Sequence, residues 1–163
     1  MSKYIACNYL NYDNQNKLWS LHEDFIMAFR YSDGFTERLL SADFFIDKNF
    51  KLLCYLGSFD KFKDSTEHGL HFVIETHLPN DIRQLVSSLM KEKYDFEKFV
   101  MTDMPDVQVY LKSGVDTKSV YINYIMLSDT DDILEFMSEK KLFKLTSKIV
   151  GWINDCYESL VKK

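Results

Sequence analysis

Only five glycines and two prolines punctuate these 163 residues. A glycine-rich backbone cradle for phosphate groups is therefore not expected. The three cysteines, Cys7, Cys54 and Cys156, are odd in number, widely spaced and set in apolar surroundings. That excludes a disulfide framework and a CxxC metal knuckle, and reads as buried free thiols in a reducing compartment. No run approaches the ~20 apolar residues of a bilayer-spanning helix. The first residues, Met1 to Asn8, lack the apolar core of a secretory signal. A soluble, cytoplasmic protein is the expectation. GxSxG, GxGxxG, P-loop, HExxH and EF-hand patterns are all missing. No reaction is named by a motif, and neither a cofactor nor a metal is expected.

What is present argues for a packed domain. Hydrophobic residues make up 46% and charged residues 28%, a balance that excludes wholesale disorder. Aromatics are heavy at 15%, so the core should be rich in Phe and Tyr. The length suits a single domain spanning residues 1–163. A net charge of −5 argues against binding phosphate backbones or anionic membranes, and for a basic partner.

Along the chain, Tyr4 to Leu10 reads as a first strand, followed by the turn-rich run Asn11 to Asn16. Ser20 to Glu23 has the form of a helix capping box. However, Phe25, Met27, Phe29 and Tyr31 alternate with Ile26, Ala28 and Arg30 as a strand would, with Asp33-Gly34 as its turn. We take residues 20–31 as strand. Ala42–Ile46 and Phe50–Leu56 flank Asp47-Lys48-Asn49 as a hairpin, and Gly57–Gly69 is polar enough for a loop. Leu70–His77 is a further strand. Pro79-Asn80-Asp81 opens a helix with Ile82, Leu85, Val86, Leu89 and Met90 on one face. Asp106–Leu111 and Ser119–Met126 form a second hairpin across Lys112–Lys118.

The clearest element is C-terminal. At ~100° per residue, Leu142, Leu145, Ile149, Trp152, Ile153, Cys156 and Leu160 share one side of a helix. Lys144, Ser147, Lys148, Gly151, Asp155 and Glu158 share the other. Ile133, Phe136 and Met137 define an earlier stripe that falls out of phase with the later one near Glu139 to Lys141. That predicts a break there and two C-terminal helices. The fold expected is α+β: an antiparallel or mixed sheet of about five or six strands with helices on one face.

Three constellations invite chemistry. On a strand, His71, Glu75 and His77 would share a face, with His68 just before it. At ~3.3 Å per residue, His71 and His77 lie about 20 Å apart, too far to hold one ion, so a polar strand face is the better reading. Pro105-Asp106 followed by Asp116-Thr117-Lys118 resembles the PD-(D/E)xK signature of metal-dependent nucleases. That resemblance implies Asp106 and Asp116 as ligands of a divalent ion and Lys118 as an aid to the attacking water. Finally, Ser128 to Glu139 holds Asp129, Asp131, Asp132, Glu135 and Glu139 and no Lys or Arg. Acids in a first helical turn stabilise the helix dipole by ~0.3–1 kcal/mol each, which accounts for Asp129, Asp131 and Asp132. Glu135 and Glu139 lie beyond that turn. With Asp131 and Asp132 they are the candidate partner-binding residues, an acidic ridge suited to a basic protein.

The reading favoured by these features is a non-catalytic module that binds and neutralises or regulates a basic protein. In size, acidity and want of catalytic signatures the chain resembles small cytoplasmic immunity and antitoxin proteins, which cover the active sites of nuclease toxins. That resemblance implies a toxin nuclease as partner, with no direct contact to nucleic acid or membrane. The alternative is a nuclease of PD-(D/E)xK type.

Overall fold

The computed structural model describes residues 10–15, 18–33, 40–58, 70–91, 106–113, 116–123 and 137–161. Its elements, in chain order, are β1 (Leu10–Asp13), β2 (Leu18–Leu21), β3 (Phe25–Ser32), β4 (Ser41–Asp47), β5 (Lys51–Ser58), β6 (Leu70–His77), α1 (Asn80–Leu89), β7 (Asp106–Ser113), β8 (Asp116–Asn123) and α2 (Met137–Val161). Strands β3 to β8 form one six-stranded sheet in the order β6-β5-β4-β3-β7-β8. Every pairing in it is antiparallel. β1 and β2 form a separate antiparallel pair. The fold is α+β.

Alternation assigns the strands their faces. Met27, Phe29 and Tyr31 of β3 are buried on one side with Ala42, Phe44 and Ile46 of β4. Leu52, Cys54 and Leu56 of β5 and Val107, Val109 and Leu111 of β7 continue that layer. A bulge between Phe25 and Met27 shifts the register, which turns Ile26 into the same layer and leaves Phe25 on the opposite one. The strand reading of residues 20–31 therefore holds for 25–31, while a turn at His22–Asp24 separates β3 from β2 and the capping box opens no helix. Ser20 sits in β2 opposite Asn11. The run Asn11 to Asn16 is less of a turn than its composition suggests, because β1 extends through Asp13. Of the first strand expected over Tyr4 to Leu10, only Leu10, the first residue of β1, is among the described residues.

Both helices close over the Phe29–Phe44 layer. α1 buries Ile82, Val86 and Leu89 there, and α2 buries Leu142, Leu145, Ile149, Val150 and Ile153. Each such side chain contributes about 1.5–3 kcal/mol by leaving water. Thr146, fully buried on α2, satisfies its hydroxyl by donating to the Leu142 carbonyl at 2.9 Å. Trp152, expected in the centre of the stripe, is only half-buried and meets Phe44 edge-on at 5.6 Å. The buried stripe is centred nearer Thr146 and Val150 than the heptad-like spacing implies.

The expected break at Glu139 to Lys141 is corrected: α2 runs unbroken from Met137 to Val161. Glu139, Lys140 and Lys141 are good helix formers without glycine or proline to stop them. A change of apolar phase needs only a change of neighbour, and Lys141 turns towards α1, donating to the Ser88 hydroxyl at 3.0 Å. Any helix beginning near Thr130 would lie outside the described residues.

The β4–β5 hairpin turns on Asp47, whose carboxylate accepts the backbone N–H groups of Asn49 and Lys51, both at 2.8 Å. Phe50 closes that turn in the left-handed region at φ 61°, where a bulky side chain is strained. The Arg83 guanidinium of α1 lies over its ring, 4.6 Å from the centroid.

Candidate interaction surface

Among the described residues, the other face of the sheet is covered unevenly. Leu21 of β2 packs onto Ala28, Phe45 and Tyr110 to make a small second core, with Phe25, Leu53 and Tyr55 partly buried around it. Phe45 is its hub, meeting Phe25 and Tyr55 in edge-to-face pairs at 6.2 and 6.4 Å. β2 lies beside β3, β7 and β8, so its cover falls on that half of the sheet.

Towards β5 and β6 the face turns mixed. Register aligns Val73, Tyr55, Asp43, Arg30 and Gln108 in one row across five strands. Arg30 and Asp43 form an ion pair there, Nε to Oδ1 at 2.8 Å, with the carboxylate mostly covered and the guanidinium half exposed. Val73 at the end of the row is 66% exposed. Tyr and Arg are among the residue types enriched at protein interfaces. Gln108 donates to the Tyr110 hydroxyl, and burial is the main cause that pushes the Tyr110 phenol above its ordinary range. The row is not visible as a spacing along the chain. Alternation in β3, β4 and β5 carried the signal, but only the pairing order brings the residues into line.

The residues singled out for chemistry are dispersed. On β6, Glu75 stands opposite Leu53 and His77 opposite Lys51, and both Glu75 and His77 are exposed. They make a polar strand face, as alternation implied. His68 lies outside the described residues. Asp106 and Asp116 occupy opposite ends of the β7–β8 ladder, because Asp106 pairs with Asn123 and Asp116 with Ser113. Asp106 and Ser113 are seven residues apart, about 23 Å along the strand, so the ladder does not assemble the pair that the nuclease pattern requires. β8 also begins at Asp116, earlier than Ser119, so Lys118 lies within the strand and pairs with Leu111.

Of the acidic ridge, Asp131, Asp132 and Glu135 lie outside the described residues. Glu139 sits in the first turn of the described α2, directly before Lys140, Lys141, Lys144 and Lys148. Lys148 is bound to Asp81 of α1 at 2.6 Å. The helix surface that follows the ridge is therefore basic and partly engaged with α1.

Two further polar clusters serve the fold. Lys48 meets the Asp24 carboxylate at 2.7 Å, and that hydrogen bond holds the carboxyl below its usual range and the ammonium above its own. Lys112 donates to the carbonyls of His22 and Glu23 at 3.3 and 3.0 Å. Asp33, buried at 2% exposure, accepts from the Tyr31 hydroxyl at 2.6 Å and the Leu40 N–H at 3.1 Å. Its own N–H donates to the Leu40 carbonyl, so this carboxylate fixes the exit of β3 against the entry of β4. Sequence reasoning took Asp33-Gly34 only as a turn.

Among the described residues, no three His, Cys, Asp or Glu side chains gather as a metal site would need, and no helix is long and apolar enough to cross a membrane. No protein-family model matches the chain, and no curated protein matches it significantly.

Proposed function

We propose that this chain is a non-catalytic protein-binding module that engages a basic protein and neutralises or regulates it, as immunity and antitoxin proteins do with nuclease toxins. The observation that carries the reading is the unequal cover of the sheet. Among the described residues, one face lies under two helices, while the β3–β5 part of the other presents Leu53, Tyr55 and the Arg30–Asp43 pair as a mixed surface. The net charge of −5 and the lysine-free stretch Ser128 to Glu139 supply the preference for a basic partner. In this reading the sheet face gives contact, and Asp131, Asp132, Glu135 and Glu139 give long-range attraction.

The test begins with affinity capture from native cells, followed by surface plasmon resonance with the purified basic protein. Glu135→Gln with Glu139→Gln should slow association and flatten its salt dependence, since the Debye length falls from about 10 Å at 0.1 M to about 3 Å at 1 M. Tyr55→Ala should instead hasten dissociation, by about tenfold or more for an aromatic anchor. Unchanged association in the double variant removes the ridge from the interface, and unchanged dissociation in Tyr55→Ala removes the sheet face.

A further inference from the structure

We propose that β6 is a self-recognition edge: two copies of this chain pair through antiparallel β6 strands about a two-fold axis at Val73, joining their sheets into one. The inference goes beyond the reading above and needs no other protein for its test.

β6 is bonded to β5 along its whole length, from Lys51 opposite His77 to Ser58 opposite Leu70, without a register shift. Among the described residues no strand pairs with its other side. The opposite edge strand, β8, has β2 beside it and carries Asp116 and Lys118. Free edges ordinarily bear guards: charged side chains, above all lysine, a proline, a bulge or short length. β6 reads LHFVIETH over eight residues, with one carboxylate, Glu75, and no lysine, proline or bulge. At its middle stands Val73, the large apolar side chain left exposed among the described residues.

Register selects a second copy as the occupant. With the axis at Val73, Val73 faces Val73, Phe72 faces Ile74 twice, and His71 faces Glu75 twice. The three central pairs are then apolar on apolar, the kind of pairing that stabilises an antiparallel ladder, and Leu70 falls opposite Thr76 only at the ends. With the axis moved to Ile74, Val73 would face Glu75, Phe72 would face Thr76 and His71 would face His77. That register sets apolar against polar on both sides of the axis. The centre of the strand is matched about Val73 and mismatched about Ile74.

Sedimentation equilibrium should show the mass rising from 19.3 kDa towards twice that value with concentration, because a single eight-residue ladder is a small interface. Val73→Lys should hold the protein monomeric with its far-UV circular dichroism unchanged. Val73→Cys should form a disulfide-linked dimer under diamide, which takes up the two thiol hydrogens as the S–S bond forms. Directly opposed Cα atoms lie about 4.5–5.5 Å apart, within disulfide reach. Wild-type protein sets the background from the native cysteines, and Ile74→Cys and Glu75→Cys should not exceed it. A monomer up to about 1 mM, where only binding weaker than about −4 kcal/mol escapes detection, overturns the proposal. So does a Val73→Lys protein that still dimerises, or cross-linking through Ile74→Cys in place of Val73→Cys.

Discussion

The two faces of the sheet carry comparable side chains and put them to different use. Phe44 and Phe45 are neighbours in β4, both almost wholly buried. Phe44 packs on Phe29 and Trp152 beneath the helices, within a core that draws on β3 to β5, β7, α1 and α2. Phe45 packs on Phe25 and Tyr55 within a cluster of four buried residues. Burial of one aromatic ring thus has two meanings here: one ring is surrounded by the domain's own elements, and the other lies at the margin of a surface.

The sharpest test of that contrast is truncation on each side. Phe44→Ala should cost about 3–5 kcal/mol in chemical denaturation, the loss typical of a fully packed aromatic. Tyr55→Ala should cost less than about 1.5 kcal/mol, since part of its ring already faces solvent. Equal losses would make the second face a core in its own right and weaken its reading as a docking surface. Trp152→Ala should fall between them, at roughly 2 kcal/mol, because the indole is only partly buried against the core. The same variant should remove most of the fluorescence change on unfolding if Trp152 is the reporter of helix docking.

A stabilising change sharpens the comparison from the helix side. Gly151 is exposed within α2, and a Cβ built there meets nothing within 4 Å. Gly151→Ala should raise stability by about 0.5–1 kcal/mol, read as a higher denaturation midpoint at constant slope. The smallest effect is expected at the rim of the sheet. The folded Asp24 carboxyl titrates below its unfolded range because Lys48 binds it. Its contribution is therefore present above the unfolded carboxylate pKa and is lost as pH falls through the folded value. NMR titration should show the Asp24 carboxyl returning to its ordinary range in Lys48→Met; an unmoved value would assign the shift to another cause.

Much of this architecture was legible in the sequence where one local pattern decided the outcome. Alternation placed β3 to β6, and helical spacing placed α1 and the buried run Leu142 to Ile153. The pattern misled where neighbours decide. The phase change at Glu139 to Lys141 implied a break, yet Lys141 is used against Ser88 of α1, so a lysine on the inward side did not end the helix. The candidate surface was hidden for a similar reason. Arg30, Asp43, Tyr55 and Val73 come from four strands, and no spacing along the chain reveals that register aligns them. For Asp106, Asp116 and Lys118 the sequence offered only a pattern, the nuclease alternative, and the ladder sets the two aspartates at opposite ends.

The left-handed backbone of Phe50 bears on the order in which the molecule assembles. Its conformation costs about 1–2 kcal/mol for a residue with a Cβ, while the contact that favours it, the Arg83 guanidinium over the ring, belongs to α1 some thirty residues later. Until α1 docks, the tip of β4–β5 holds its strain without that compensation. An isolated hairpin is marginal in water even without such a cost. The excised segment Ser41–Ser58 should therefore remain unstructured on its own, and in the whole chain the hairpin tip should become native only together with the helix that grips it.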